Sequence, residues 1–194
     1  YAVDTWTITG SAFENETGTD GSLTAKAKIT ENTTVNVTFK QKEIYRTVPF
    51  GVNGAGLDSH LKNTAPHTDG IYYIKVTGLT AADLKGSFSS GGVEPSTLGK
   101  ILNGNRTKKV ALKLEEISGV TDMSYCFYSC TSLTQAPTIP NSVTDMSYCF
   151  SGCTSLTQAP TIPNSVTNMF NCFSGCTSLT QALAIPNSVT DMFN

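Results

Sequence analysis

The chain has 194 residues, of which 39% are hydrophobic and only 14% are charged, and its formal net charge is −2. This length allows one or two domains with a packed core. The near-neutral charge without a long basic run argues against nucleic acid as a partner, and no apolar run is long enough for membrane insertion within this chain.

Residues 1–43 are predicted to form a small all-β module. Segments 5–9, 23–29 and 34–40 alternate apolar and polar side chains, which is typical of half-buried strands. Asp20 and Gly21 mark a turn between the first two of these strands.

Residues 44–119 are predicted to form an α/β segment that caps the repeats that follow it. The expected elements are helices at 56–63 and 96–102 and strands at 71–76 and 109–114. Thr80 and Asp83 resemble a capping box at the start of a further helix. An array of repeats needs a cap at its open end, so we expect the two strands to be the first rungs of its sheet.

A four-residue motif recurs every 23 residues from Val120 onward. Val-Thr-Asp-Met begins at 120, 143 and 189, and Val-Thr-Asn-Met begins at 166, which makes three full units and one truncated unit. A period of about 20–29 residues is typical of leucine-rich repeats. Residues 120–194 are therefore predicted to form an α/β leucine-rich-repeat solenoid, with a parallel β-sheet and short helical or 3₁₀ turns.

Each unit is expected to bury its apolar side chains in columns. Residues 121–127 are predicted to form the helical or 3₁₀ turn and residues 131–136 the strand. Leu, Ile, Phe, Val and Met recur at fixed repeat positions, so equivalent side chains stack when the units stack.

The six cysteines follow the same repeat. They form two columns, 126-149-172 and 130-153-176. Free cysteine packs as a small apolar residue, so core packing is the favoured interpretation. Disulfides between stacked cysteines in an oxidising compartment are a second interpretation, and a zinc site is a third. Zinc needs four converging ligands, but the repeats contain no His and the columns place thiols in a line.

The repeat unit resembles the BspA-type leucine-rich repeats of bacterial surface proteins. The resemblance lies in Phe150, Cys153 and Leu156 and in the turn that begins with Ile162 and Pro163, although Cys149 replaces the usual small residue before Phe150. Residues 1–40 resemble the end of an internalin-type B-repeat, through Val-Asp-Thr-Trp-Thr-Ile-Thr-Gly from Val3 and Thr-Thr-Val-Asn-Val-Thr-Phe-Lys from Thr33. These resemblances imply export to the bacterial cell surface or the extracellular space, and adhesion to host proteins, host glycans or other cells.

The sequence contains no catalytic, phosphate-binding or metal-binding motif, so no enzyme activity, cofactor or metal is predicted. Two functions fit the repeats: a binding module, or a spacer that presents another domain without a ligand of its own. An open last repeat also implies end-to-end self-association. Polar and variable repeat positions supply the candidate ligand-binding residues. They are Gln135, Gln158, Gln181, Thr138, Thr161, Tyr125, Tyr148, Phe170 and Asn171.

Overall fold

The computed structural model describes residues 2–9, 34–40, 44–180 and 182–193. Contacts divide the chain into two compact units, Tyr1–Ile44 and Tyr45–Asn194. In the first unit, strands β1 (Ala2–Thr9) and β2 (Thr34–Lys40) pair antiparallel, with an irregularity between Val3 and Thr5. Both strands agree with the prediction. The predicted strand at 23–29 and the turn at Asp20 and Gly21 lie outside the described residues.

The second unit is built on a parallel sheet. Its strands are β3 (Arg46–Pro49), β4 (Ile71–Thr77), β7 (Lys109–Leu114) and β8 (Leu133–Gln135), in the order β3-β4-β7-β8. A separate antiparallel hairpin consists of β5 (Ser87–Ser89) and β6 (Gly92–Glu94). The helices are α1 (Ala55–Asn63) and α2 (Thr97–Gly104), and 3₁₀ turns span Val52–Gly54 and Ala81–Leu84.

The leading segment, which we define as residues 45–119, matches most of its predicted elements. Ser96 caps α2 by accepting a hydrogen bond from the Gly99 N–H at 3.0 Å. Thr80 and Asp83 form the capping box, although they begin a 3₁₀ turn rather than a full helix. The sheet does not begin at β4 as expected, because β3 precedes it and pairs with it in parallel. The β5–β6 hairpin was also not predicted, since both strands are only three residues long.

One hydrophobic core runs from the leading segment into the repeats. Phe127, Phe150 and Phe173 stack face to face, with ring centroids 5.2 and 5.3 Å apart. Met and Val columns, which begin at Met123 and Val120, are buried beside the phenylalanine column. Removing one large buried aromatic side chain typically costs about 3–5 kcal/mol, so this column contributes strongly to stability.

The turn of each repeat has hydrogen bonds of the predicted 3₁₀ type but does not form a continuous helix, which corrects the helical alternative of the prediction. N–H groups of Cys126, Tyr128 and Cys130 bond three residues back, as in successive tight turns. Tyr125 and Ser129 have φ values of 54° and 57°, in the left-handed region that interrupts a right-handed helix. The N–H groups of alternate residues are therefore free to bond to the next repeat.

Hydrogen bonds between adjacent repeats follow this alternation. The N–H groups of Tyr125, Phe127 and Ser129 donate to carbonyls 22 residues later, at 2.9, 2.8 and 2.7 Å. The second repeat uses the same pattern from Tyr148, Phe150 and Gly152 to the third. The predicted strand is correspondingly short: three residues in the first repeat, and a parallel bridge from Gln135 to Gln158 in the second. Pro137 and Pro160, which have no N–H, follow these strand positions closely and limit their extension.

The leading segment supplies donors to the first repeat, where no earlier repeat exists. The Ser124 carbonyl accepts from the Gly86 N–H at 2.8 Å. The Cys126 carbonyl accepts from Ser96 Oγ at 2.9 Å, and the Tyr128 carbonyl accepts from Asn103 Nδ2 at 3.0 Å. The equivalent carbonyls of the second repeat, those of Ser147, Cys149 and Ser151, accept hydrogen bonds from the first repeat. Each of the three first-repeat carbonyls would otherwise be an unsatisfied polar group at this interface, with a cost of about 1–3 kcal/mol if buried.

Helix α2 approaches the first repeat closely through Gly99. A Cβ atom at Gly99 would overlap the Cys126 carbonyl oxygen, whereas a Cβ atom at Gly104, at the end of the same helix, would meet nothing within 4 Å. We expect Gly99→Ala to lower the free energy of unfolding by about 1–3 kcal/mol. Gly104→Ala should leave it within about 1 kcal/mol of the parent value. Urea unfolding followed by far-ultraviolet circular dichroism measures both, and equal stabilities for the two variants would contradict this packing.

Candidate binding surfaces

A groove crosses the exposed face of the parallel sheet. We call it the sheet-face groove; its volume is about 460 Å³. Its lining comes from β4, β7, β8 and the equivalent segments of the next repeats. The lining residues are Ile71, Tyr73, Lys109, Ala111, Thr134, Gln135, Ser155, Thr157, Gln158 and Ser178. This volume lies within the range of about 300–1,000 Å³ typical of small-ligand sites.

Most polar groups of the sheet-face groove are uncharged. Gln135 and Gln158 are exposed and neighbour each other across a parallel bridge. Tyr45 donates its hydroxyl to Gln135 Oε1 at 3.1 Å, which leaves the Gln135 amide nitrogen available as a donor. Thr157 Oγ1 donates to the Thr134 carbonyl at 3.1 Å, so its lone pairs remain as acceptors. The groove therefore offers both donors and acceptors to a ligand.

Tyr73 is an aromatic residue in the lining of the sheet-face groove. Its hydroxyl donates to Asp69 Oδ2 at 2.9 Å, and this hydrogen bond to the carboxylate is the main reason that the pKa of Tyr73 is raised. The Tyr45 and His67 rings meet Tyr73 at near-perpendicular angles, with centroids 5.4 and 5.6 Å away. Tyr73 is thus held in place before any ligand binds.

The predicted threonines do not join the glutamines. Thr138 lines a different cavity of about 840 Å³ between residues 114–119 and 138–142. Thr161 lines a third cavity of about 300 Å³, beside residues 182–186. Both threonines are exposed, but they share no cavity with Gln135 or Gln158. Gln181 lies outside the described residues.

The predicted aromatic residues form a ladder on another side of the repeats. The Tyr125 and Tyr148 rings stack with centroids 4.9 Å apart and an interplanar angle of 7°. Phe170 follows at 5.5 Å from Tyr148, and Phe193 lies 5.7 Å beyond Phe170. Tyr128 flanks the first rung, with its ring 6.3 Å from that of Tyr125. These five rings are called the aromatic ladder below. Sequence reasoning missed two of these rings. Tyr128 lies three residues after Tyr125, and Phe193 occupies the repeat position of Phe170 in the truncated last unit.

The aromatic residue of the ladder shifts by one repeat position between the second and third repeats, but the rings stay in contact. The first two repeats carry Ser-Tyr, whereas the third carries Phe170-Asn171 at the same places. The second of these positions is left-handed in all three repeats, with φ near 54° at Tyr125 and 50° at Asn171. Asn tolerates this conformation better than an aromatic residue. Asn171 also donates to the Tyr148 hydroxyl at 3.1 Å, so it remains connected to the ladder.

A column of three aspartates and one asparagine, at one repeat position, runs beside the aromatic ladder. It contains Asp122, Asp145, Asn168 and Asp191, which are linked by parallel bridges and are called the aspartate column below. Lys85 forms an ion pair with Asp122 at 2.7 Å. Burial opposes ionisation of Asp122, but the hydrogen bonds from Lys85 and Ser124 lower its pKa overall. Asn168 replaces a carboxylate and donates its amide to Asp145 Oδ2 at 3.0 Å, which relieves repulsion within the column.

All six cysteines are free thiols, and five of them are buried; Cys176 is half-buried. Their position fits the core-packing interpretation. Cys153 and Cys176 each donate to the carbonyl of a phenylalanine in the repeat before, Phe127 and Phe150, both at 3.1 Å. Cys130, in the first repeat, donates to the Gly99 carbonyl at 3.5 Å instead. Burial raises the pKa of the Cys130, Cys149, Cys153 and Cys172 thiols. Burial also raises the pKa of Cys176, to about 11.

These raised pKa values predict a loss of stability in alkali. Unfolded thiols ionise near pH ~8.5, while the folded protein keeps its thiols protonated. The stabilisation is therefore complete below that pH and is lost as the pH rises towards the folded pKa, about 11 for Cys176. We expect the free energy of unfolding in urea under reducing conditions to be lower at pH 9.5 than at pH 7.5. Cys153→Ala should show a smaller pH-dependent fall, and a stability that does not change over this range would contradict thiol burial.

These features define an α/β leucine-rich-repeat fold. Residues 115–194 match the family model of the BspA type leucine-rich repeat region, in six copies. Residues 115–194 are therefore BspA-type leucine-rich repeats. The match does not extend to residues 1–114, so the internalin-type resemblance of residues 1–40 stays a prediction. No curated protein and no solved structure matches the chain.

The family sets a broad functional class. Leucine-rich repeats are generally protein-interaction modules rather than enzymes, and the BspA type indicates a surface protein-binding or adhesion module. Among the described residues, no helix is both long enough and apolar enough to cross a membrane.

Proposed function

We propose that this chain is an extracellular binding module of a bacterial surface or secreted protein, which attaches to a host or neighbouring-cell protein through its sheet-face groove. The observation that carries this proposal is the row of exposed and half-buried, uncharged hydrogen-bonding side chains from Thr134 to Ser178 that line one groove. Such a row spans successive repeats, so it suits a ligand that is itself extended.

The chemistry of the sheet-face groove favours a polypeptide ligand. Peptide N–H and C=O groups alternate along an extended main chain, and glutamine amides and hydroxyls complement both. Gln158 is exposed and lies at the centre of the lining, while Gln135 is oriented by Tyr45. Lys109 is the one ionisable group of the lining apart from the tyrosine, so charge contributes little to recognition here.

The repeats and the leading segment have separate roles in this proposal. The repeats would form a solenoid, because each hydrogen-bonds to the next in the same pattern. The leading segment, which has nearly the same bounds as the predicted cap of residues 44–119, would cover one end of that solenoid. Its residues Gly86, Ser96 and Asn103 donate hydrogen bonds to the carbonyls of the first repeat. Residues 1–43 would form a separate β module. Two copies of the chain would associate end to end only if the last repeat of each had no further repeat or other segment packed against it.

Binding of the full chain to an array of extracellular host proteins and glycans tests this function. We expect saturable binding to a protein, and Gln158→Ala should weaken it about three- to tenfold because hydrogen bonds from one amide are lost. Asn164→Ala changes an exposed polar residue beside the third cavity and should leave affinity unchanged.

Two results would contradict the proposal. If the chain bound to nothing on the array while its circular dichroism showed that it was folded, a spacer that presents another domain would be favoured. Saturable binding to a glycan alone would keep the groove as a site but change its ligand class.

A further inference from the structure

We propose that the aromatic ladder and the aspartate column together form a second interaction surface, which binds a basic, extended segment of a partner protein through its Lys or Arg side chains. This surface lies away from the sheet-face groove and shares no lining residue with it. The inference therefore stands or falls independently of the function proposed above.

The charge of the repeats has one sign. From Val120 to the end of the chain there is no Lys, Arg or His, and the only acidic residues are Asp122, Asp145 and Asp191. All three belong to the aspartate column, so the negative charge of the repeats is concentrated in one line. A partner that meets this line gains from positive charge and loses from negative charge.

The aromatic ladder lies directly beside that line. Asp122 Oδ1 accepts the N–H of Ser124, the residue before Tyr125, and Asp145 does the same for Ser147, the residue before Tyr148. The pKa of the Tyr125 phenol is raised mainly by burial, and the nearby Tyr148 and Asp145 add to this effect. Asp122 and Asp145 thus each have a half-buried tyrosine ring next to them at the surface, whereas the ring next to Asp191, that of Phe193, is exposed.

The leading segment already shows how a cation occupies this surface. The Lys85 ammonium contacts Asp122 at 2.7 Å, and the neighbouring Gly86 lies so close that a Cβ atom there would be 2.6 Å from Tyr125 Cβ. At the next rung, Asp145 accepts hydrogen bonds from Ser147 and Asn168. In the part of the chain that the structure describes, no basic side chain forms an ion pair with Asp145. A lysine from a partner would repeat there what Lys85 does at Asp122.

The shape of the aromatic ladder selects long basic side chains. Because Tyr125 and Tyr148 stack on each other's faces, this pair presents ring edges rather than open faces. Ring edges pack well against methylene groups, and Lys and Arg carry an aliphatic stem that can lie along apolar surface while the head stays charged. The stem would contact the ladder, and the head would reach the carboxylate of Asp145 or Asp191.

The repeats themselves provide variants that the fold accepts. Asp145→Asn introduces the residue that the third repeat has at Asn168, and it keeps the acceptor for the Ser147 N–H. Phe170→Ser introduces the residue that the first two repeats have at Ser124 and Ser147. The first variant removes one charge and the second removes one ring.

The experiment measures fluorescence anisotropy of a labelled 12-residue peptide of alternating Lys and Ser, titrated with the full chain at low salt. Matched peptides carry Gln, Glu or the short-stemmed basic residue 2,3-diaminopropionate in place of Lys. We expect saturable binding of the Lys peptide, weakened by added salt. The Gln and Glu peptides should not bind, and the short-stemmed peptide should bind more weakly than the Lys peptide.

The variants locate the site. Asp145→Asn and Phe170→Ser should each weaken the Lys peptide about two- to fivefold, while Gln158→Ala in the sheet-face groove should leave it unchanged. The proposal would be overturned if the Lys peptide bound no better than the Gln peptide, or if both repeat-derived variants bound like the parent chain. Weakening by Gln158→Ala alone would overturn it as well, since the site would then be the groove.

Discussion

The hydrogen bonds between consecutive repeats are the constraint on which the second unit depends. Alternate N–H groups of each turn, such as those of Tyr125 and Phe127, donate to carbonyls 22 residues later. This is possible only because left-handed residues interrupt what would otherwise be a helix, in which every N–H would bond within its own turn. A single repeat cannot satisfy these groups alone, so its fold depends on a neighbour on each side.

The same constraint places the surfaces that we propose to bind partners. Once the main chains are fixed at one repeat spacing, equivalent side chains stack, and phenylalanine and cysteine columns fill the interior. Outside, the same spacing aligns the glutamines of the sheet face, the aromatic ladder and the aspartate column. Stacking like charges is costly, and the chain limits that cost with Lys85 at one rung and Asn168 at another.

Much of this architecture could be predicted from the sequence. The 23-residue period identified the buried columns, including the six cysteines, and local patterns located β4, β7, α1 and α2. A continuous helix was one of the two expectations for the turn, because the i, i+3, i+4 spacing of Met123, Cys126 and Phe127 fits both a helix and a series of tight turns. The positive φ at Tyr125, which decides between them, is not visible in the sequence. The candidate residues were grouped by polarity, but which face a repeat position occupies depends on the path of the chain. Thr138 is therefore separated from Gln135, and the roles of Lys85 and Ser96 arise only from tertiary contact.

Amide hydrogen exchange, followed by nuclear magnetic resonance across residues 121–151, tests the stacked arrangement most directly. If the N–H groups of Tyr125, Phe127 and Ser129 bond to the second repeat, they exchange slowly, with opening free energies close to those of the core strand β7. The account predicts this protection at residues 125–129, which belong to no helix and no strand. Exchange of these three amides at the rate of open, solvent-exposed turns, with β7 still protected, would contradict it.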